Sequence, residues 1–198
     1  MKAHQRYVCA FVVCAIALTR FLFRSHYLYD VDSVNFALAL DHFDPIVYQP
    51  HPPGYFLYIC VGWVVNAVFH EPNTAFVAVS ILASCGTGLL IWLLAREWFG
   101  GKAALFAGLI FLFSPLCWFH GTVALTYIVE TFFSALVGFL CWRVYSGYQR
   151  WVIPASIALG LAAGFRPSSV VLLGPLWLFS LWRLEMKQIA AAFAAIAE

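Results

Sequence analysis

The chain has 198 residues, of which 64% are hydrophobic and only 10% are charged, and its formal net charge is +2. A soluble domain carries about 25% charged residues, so the composition excludes an ordinary soluble protein and favours one that lies in a bilayer. The small net charge, without any run of Lys or Arg, also excludes a basic surface of the kind that binds nucleic acid.

Apolar runs recur along the whole chain and predict helices. A helix needs about 20 residues to cross a bilayer, and about 17 suffice where the bilayer adapts. The runs cover residues 7–23, 54–70, 75–95, 103–119, 121–142, 151–165 and 168–182. They predict an all-α fold, a polytopic transmembrane helix bundle that forms one module over residues 1–198. Residues 188–198 have the pattern of a further helix, so we expect the module to be incomplete at its C-terminus.

The distribution of Lys and Arg predicts the orientation of the bundle, because these residues concentrate in cytoplasmic loops. Eight of the 11 lie on the cytoplasmic side if the N-terminus is inside and residues 54–70 do not cross the bilayer as a simple span. That run is then expected to lie in the interface or to re-enter. The three remaining cations, Arg20, Arg24 and Arg166, face outward together with residues 24–74 and the turn near His120.

The external loop, residues 24–74, carries most of the polar chemistry. Phe36, Leu40 and Phe43 recur at helical spacing before Pro45, which predicts an amphipathic helix along the membrane surface. The loop also holds all four aspartates, Asp30, Asp32, Asp41 and Asp44, alongside His26, His42 and His51. We therefore expect a functional site in this loop.

Asp30 and Asp32 lie at the N-terminal end of the predicted surface helix. One of them is expected to cap the helix, which is worth about 1 kcal/mol. The other is then available for a function. Because two carboxylates can also share a divalent cation that carries the diphosphate of a sugar nucleotide, a metal site remains an alternative.

Three further polar residues are candidates for a site. His51 lies between prolines that fix an extended backbone, and it can donate to a phosphate. Glu130 is the only acid inside an apolar run, where a charge costs several kcal/mol and indicates a function or a buried partner. Arg166 follows a glycine-containing run and can hold a phosphate through a bidentate contact, or else snorkel to lipid headgroups.

Taken in order, these motifs resemble those of the GT-C membrane glycosyltransferases, which include the dolichyl-phosphate-mannose protein mannosyltransferases and the bacterial aminoarabinose transferases. In those families an Asp-Glu pair opens the first external loop, and Asp32-Ser33 is similar, with Ser in place of Glu. The segment His51-Pro52-Pro53-Gly54-Tyr55 is similar to their Pro-Pro-Leu-Gly-Tyr-like motif. The families also have a Ser-Pro pair before an external turn, an acid that opens the following helix and a Gly-rich helix that ends in Lys or Arg. In this sequence, the similar features are Ser114-Pro115, Glu130 and the segment 160–166.

The resemblance implies transfer of a sugar from a polyprenyl-phosphate donor to a hydroxyl of a lipid, glycan or protein acceptor, with inversion. It implies that Asp32 is the general base, with Asp30 as the second choice. Glu130 would orient the acceptor or support the base. His51 and Arg166 would stabilise the departing phosphate, and the other expected substrate-binding residues are Tyr55 and His120.

The resemblance also implies a multi-pass protein of the bacterial inner membrane, whose site faces the periplasm or the exterior and whose partners include membrane lipids. The only cofactor to consider is a divalent metal ion, which Asp30 and Asp32 would bind in the alternative given above. Two other functions compete with transfer. A transporter or flippase would use Glu130 and Arg166 to line a path near the bilayer middle, and a non-enzymatic membrane scaffold would tolerate replacement of Asp32.

Overall fold

A computed structural model of the chain describes residues 3–183 and Phe193, and the described residues are helical, without strands. An isolated bridge joins Asp44 and Gln49. The expected all-α fold is thereby confirmed, whereas the helix expected at residues 188–198 lies, apart from Phe193, outside the described residues. The α-helices are α1 Ala3–Leu22, α2 Val31–Asp41, α3 Phe56–Phe69, α4 Pro72–Phe99, α5 Gly101–Phe113, α6 Pro115–His120, α7 Tyr127–Tyr145, α8 Val152–Phe165 and α9 Ser168–Ser180.

Three helices of the described part, α1, α4 and α7, are long and apolar enough to cross a membrane. They have 20, 28 and 19 residues, respectively. The other apolar helices are shorter, and single turns of 3₁₀-helix follow α2, α7 and α9. Helix α4 packs against α1, α3, α5 and α7 and is the centre of the bundle.

Two of the predicted runs have different boundaries in the structure. The run at 103–119 is divided into α5 and α6 at Ser114, because Pro115 lacks an N–H and disfavours helical backbone at the residue before it. The run at 121–142 becomes helical only at Tyr127. Residues 122–124 form a buried turn whose carbonyls accept hydrogen bonds from the Ser25 backbone N–H and from the Ser80 and Ser33 hydroxyls.

The helix ends define two poles of the bundle. At one pole, which we call the basic end, Arg96 Nε donates to Gln5 Oε1 at 3.1 Å and Arg143 pairs with Glu97 at 3.0 Å. At the opposite pole, which we call the site end, Asn73 Nδ2 donates to the Ser25 carbonyl at 3.0 Å. The N-terminus of α1 therefore lies beside the C-termini of α4 and α7, as the charge distribution predicts. The membrane orientation of the two poles stays a prediction.

Helix α3 folds back against the first turns of α4 and stays near the site end. Its 14 residues rise about 21 Å, a length similar to that of α5, α8 and α9. The Tyr58 ring stacks on the Phe76 ring of α4 with centroids 4.7 Å apart, and Gly62 lies so close to Phe76 that a Cβ there would clash. Glu71 then begins α4 by accepting from the backbone N–H groups of Asn73 and Thr74. That residues 54–70 do not cross as a simple span stays a prediction.

Arg20 does not face water, contrary to the prediction that it lies on the outer surface. Its side chain is fully buried at the site end of α1. The guanidinium donates to the Leu112 carbonyl at 2.9 Å and lies 4.5 Å from the centre of the Trp118 ring. A cation is stable there because the last carbonyls of α5 have no partners within their own helix and carry partial negative charge.

Candidate active site

The two aspartates at the start of α2 have different environments. Asp30 is the N-cap residue, with extended backbone, and its Oδ1 accepts from the Asp32 backbone N–H at 3.0 Å. Asp32 lies in the first turn of α2, and 37% of its side chain is exposed. Asp30 therefore has the capping role that the sequence required of one member of the pair, and Asp32 is left available for chemistry.

Ser33 stands where the resembling families have a glutamate, and its environment explains the difference. The side chain is fully buried, and its hydroxyl donates to the Ala124 carbonyl at 2.9 Å. An ionised glutamate has no proton to donate to that carbonyl, and burying its charge without a partner costs several kcal/mol. Ser33 therefore serves to hold α2 against the turn before α7.

His51 joins Asp32 to Tyr55. Its Nδ1 lies 3.4 Å from Asp32 Oδ1, and its Nε2 lies 3.2 Å from the Tyr55 hydroxyl. Among the described residues Nδ1 has no hydrogen-bond partner of good geometry, and its contact with Asp32 is an ion pair only when the imidazole carries a proton on both nitrogens. The Phe36 ring, 6.0 Å away between centroids, supports the imidazole from α2.

Glu130 and Arg166 form an ion pair. Arg166 Nη1 lies 2.9 Å from Glu130 Oε2, and the side chains are 26% and 19% exposed. The guanidinium also lies over the Tyr127 ring, 4.8 Å from its centroid. Tyr127 and Glu130 are three residues apart in the first turn of α7 and so share one helix face. Arg166 caps the C-terminus of α8 with extended backbone, which the following Pro167 favours.

Tyr55 lies between the two charged pairs. Burial raises the pKa of its hydroxyl, the Arg166 guanidinium opposes that rise, and the Asp32 and Glu130 carboxylates add to it. Tyr55 thus lies within electrostatic range of both pairs, and it stays protonated at neutral pH. A neutral phenol can donate a hydrogen bond to an anionic group of a substrate.

His120 lies beside Tyr127. The two rings are 4.7 Å apart between centroids, and burial lowers the pKa of the imidazole. At neutral pH the ring is therefore uncharged. Sequence reasoning placed His120 in the site but missed Tyr127, whose only signal is its position one helical turn before Glu130.

The structure thus brings together five of the seven predicted residues, Asp32, His51, Tyr55, Glu130 and Arg166. Asp30 serves as a cap, and His120 lies beside Tyr127. The Glu130–Arg166 pair lies at the N-terminal end of α7 and the C-terminal end of α8. No group of three or more His, Cys, Asp or Glu side chains in the described part is placed to hold a metal ion.

Comparison with known proteins gives one finding. A family model described as dolichyl-phosphate-mannose-protein mannosyltransferase matches residues 50–197. The match includes His51, Tyr55, Glu130 and Arg166, while Asp32 precedes it. No curated protein matches the chain. No solved structure matches it either.

Proposed function

The chain belongs to the dolichyl-phosphate-mannose-protein mannosyltransferase family, and we propose that it transfers a sugar from a polyprenyl-phosphate donor to an acceptor hydroxyl. Family membership makes it a membrane glycosyltransferase of the GT-C type, which acts with a lipid-linked sugar donor and an acceptor. The proposal adds the polyprenyl carrier, an acceptor that is a lipid, glycan or protein, and inversion at the anomeric carbon. It also adds a bacterial inner membrane as the location, with the site on the outer side.

The proposal rests on one observation: the Tyr55 hydroxyl is within electrostatic range of both the Asp32 carboxylate and the Arg166 guanidinium, which carry opposite charges. One wall of the site presents the Asp32 carboxylate beside His51, and the other presents the Arg166 guanidinium held by Glu130. A carboxylate suits a hydroxyl that must lose a proton, and a guanidinium suits a phosphate that gains charge as it departs. Sugar transfer needs both at one centre.

Asp32 is the proposed general base. As the acceptor oxygen attacks the anomeric carbon, Asp32 takes the hydroxyl proton and the bond between that carbon and the phosphate oxygen breaks. The electron pair of the broken bond stays on the phosphate, and attack from the opposite face inverts the anomeric configuration. Proton transfer to a positioned base typically contributes about 10²–10⁴-fold to the rate.

Arg166 and His51 are the proposed stabilisers of the phosphate. Negative charge grows on the departing oxygen, so a cation held close to it lowers the barrier without having to reorganise. Glu130 positions the guanidinium through the 2.9 Å ion pair, and Tyr127 supports its flat face. The protonated Tyr55 hydroxyl lies between the two walls as a further donor.

The place of the site at one pole of the bundle fits a lipid-linked donor. A polyprenyl tail stays in the bilayer, so its phosphate reaches the protein at the membrane boundary. The site residues come from the ends of α2, α3, α7 and α8, where such a boundary would lie. The transporter alternative would need these charges deeper in the helices.

Replacement of Asp32 by Asn tests the proposal. We expect Asp32→Asn to lose sugar transfer from a radiolabelled polyprenyl-phosphate sugar by at least about 100-fold, with unchanged membrane insertion and thermal unfolding. Asp41→Asn is the matched control, because Asp41 is an exposed aspartate in the last turn of the same helix. Normal turnover in Asp32→Asn would refute the assignment of the base.

Labelling tests the expected sidedness independently of activity. In a background without native cysteines, Tyr48→Cys at the site end and Ser146→Cys at the basic end place single thiols at exposed positions. A membrane-impermeant maleimide should label position 48 from the outside and position 146 only after permeabilisation. Labelling of position 146 from the outside of intact cells would contradict the proposed orientation.

A further inference from the structure

We propose that an aromatic row beside the proposed site binds a sugar ring of the acceptor, which makes the acceptor a glycan or a glycosylated lipid. The row consists of Tyr27, Tyr29, Phe119, His120 and Tyr127. This inference rests on the proposed sugar transfer for its role in the reaction, since it names the acceptor class of the same site. Its evidence is the geometry of the rings.

The rings form an unbroken series of contacts. Successive centroids are 6.4 Å apart from Tyr27 to Tyr29, 5.1 Å to Phe119, 5.2 Å to His120 and 4.7 Å to Tyr127. These spacings are typical of interacting aromatic pairs. Phe119 meets Tyr29 and His120 edge to face, at 77° and 70°, so the flat stacking surface of the row is the Tyr27–Tyr29 pair. The far end of the row is Tyr127, which carries the Arg166 guanidinium on its ring.

The outer part of the row is open to a ligand. Tyr27 is 65% exposed and Tyr29 is 53% exposed, and their rings are nearly parallel, with an angle of 27° between the planes. Hexose rings have one face made of C–H groups, which packs on the face of an aromatic ring, and hydroxyls around their edge. The Asp30 carboxylate, next to Tyr29 in the chain and exposed, supplies an acceptor for such hydroxyls.

The loop that carries the two tyrosines is fixed before any ligand binds. The Ser25 backbone N–H donates to the Thr122 carbonyl at 2.8 Å, and the Ser25 carbonyl accepts from Asn73 Nδ2 at 3.0 Å. The Ser25 hydroxyl also donates to the Tyr27 carbonyl at 2.6 Å. Binding to rings that are already positioned loses little conformational entropy, which favours a binding site.

The direction of the row distinguishes it from an ordinary interfacial belt. Aromatic residues of such a belt lie around the perimeter of a membrane protein at headgroup level. Here the rings lead from the exposed loop to the Glu130–Arg166 pair. An acceptor glycan that lies along the row would bring its terminal sugar to the side of the site that holds the Glu130–Arg166 pair.

The test is direct binding of a neutral β-linked disaccharide, lactose, to the full chain in nanodiscs by saturation-transfer difference NMR. We expect saturation of the ring C–H protons of lactose in the unmodified protein and about tenfold weaker binding in Tyr29→Leu. Tyr29→Trp keeps an aromatic face and should restore binding. Tyr48→Leu removes an equally exposed tyrosine outside the row and should leave binding unchanged.

Three results would overturn the proposal. They are no saturation of lactose by the unmodified protein, equal losses in Tyr29→Leu and Tyr48→Leu, and saturation of a serine-containing tetrapeptide but not of lactose. If Tyr29→Leu does not fold, as judged by thermal unfolding, Phe119→Leu provides the same test. Because the assay needs no donor, lactose binding in a protein without transfer would refute the proposed function alone, and transfer without lactose binding would refute the aromatic row alone.

Discussion

Breaking the ion pair between Glu130 and Arg166 should destabilise the protein and slow sugar transfer. At an effective dielectric constant of 20, two unit charges about 4 Å apart attract by about 4 kcal/mol. Loss of hydration offsets most of that attraction, and net values run from about 0–1 kcal/mol for exposed pairs to about 3–5 kcal/mol when one partner of a buried pair is removed. With about one fifth and one quarter of the two side chains exposed, we expect a coupling free energy of about 1–2 kcal/mol.

A double-mutant cycle measures this coupling. Glu130→Gln, Arg166→Gln and the double variant are compared with the unmodified protein by reversible unfolding in detergent, and sugar transfer is assayed in each. In a chain of about 200 residues, 1 kcal/mol shifts the unfolding midpoint by about 2–4 °C, so each single variant should unfold about 2–8 °C lower. The double variant should be less destabilised than the sum of the single changes.

The basic end offers a matched control pair. Arg143 and Glu97 are 3.0 Å apart and 23% and 32% exposed, so their geometry is nearly that of the pair in the site. Glu97→Gln should lower stability by a similar amount, about 1–2 kcal/mol, and leave sugar transfer unchanged, whereas Glu130→Gln should reduce transfer. A coupling below about 0.3 kcal/mol at the site, or equal loss of transfer in Glu97→Gln, would refute the view that Glu130 positions the guanidinium.

The remaining predictions concern α2, α3 and the pH dependence of stability. Ser33→Ala should lower the free energy of unfolding by about 1–3 kcal/mol, because the Ala124 carbonyl loses its donor, and chemical unfolding measures the loss. Gly62→Ala should cost about 1–3 kcal/mol because the added Cβ meets the Phe76 ring, and a midpoint equal to that of the unmodified protein would contradict the close packing of α3 and α4. The raised pKa of Tyr55 means that its protonated form stabilises the fold below a pH of about 10 and that this contribution is lost as pH rises through the folded-state pKa, so Tyr55→Phe should unfold with a weaker alkaline dependence.

The sequence predicts the helices well where an apolar run ends near a residue that breaks helices, such as proline. Pro45 ends the region of α2, and the long runs become α1, α4 and α7 with shifts of a few residues. It fails at residues 121–126, which are apolar but form a buried turn. There, tertiary hydrogen bonds to three carbonyls replace those of a helix, and hydrophobicity alone cannot reveal partners that lie 43 to 97 residues away in the chain.

For the site, the sequence predicts which residues carry unusual charge but not how they pair. Glu130 and Arg166 are each conspicuous in an apolar chain, yet their 2.9 Å contact depends on the packing of α7 against α8. The division of roles between Asp30 and Asp32 depends on the backbone at residue 30, which only the structure resolves. Tyr127 has only a weak signal, its position one helical turn before Glu130, and the other tyrosines and Phe119 of the aromatic row have none, because tyrosine and phenylalanine are abundant throughout.

The hydrogen bonds of Ser25 and Ser33 bear on any attempt to excise the family-matched segment as a minimal enzyme. A fragment that starts at residue 50 would expose an unsatisfied Asn73 amide and the carbonyls of Thr122 and Ala124, and it would uncover the groove that α1 fills along α4. The unit found by comparison is therefore smaller than the unit that folds. Engineering or reconstitution of this transferase should retain residues 1–49 as part of the catalytic body rather than treat them as a dispensable leader.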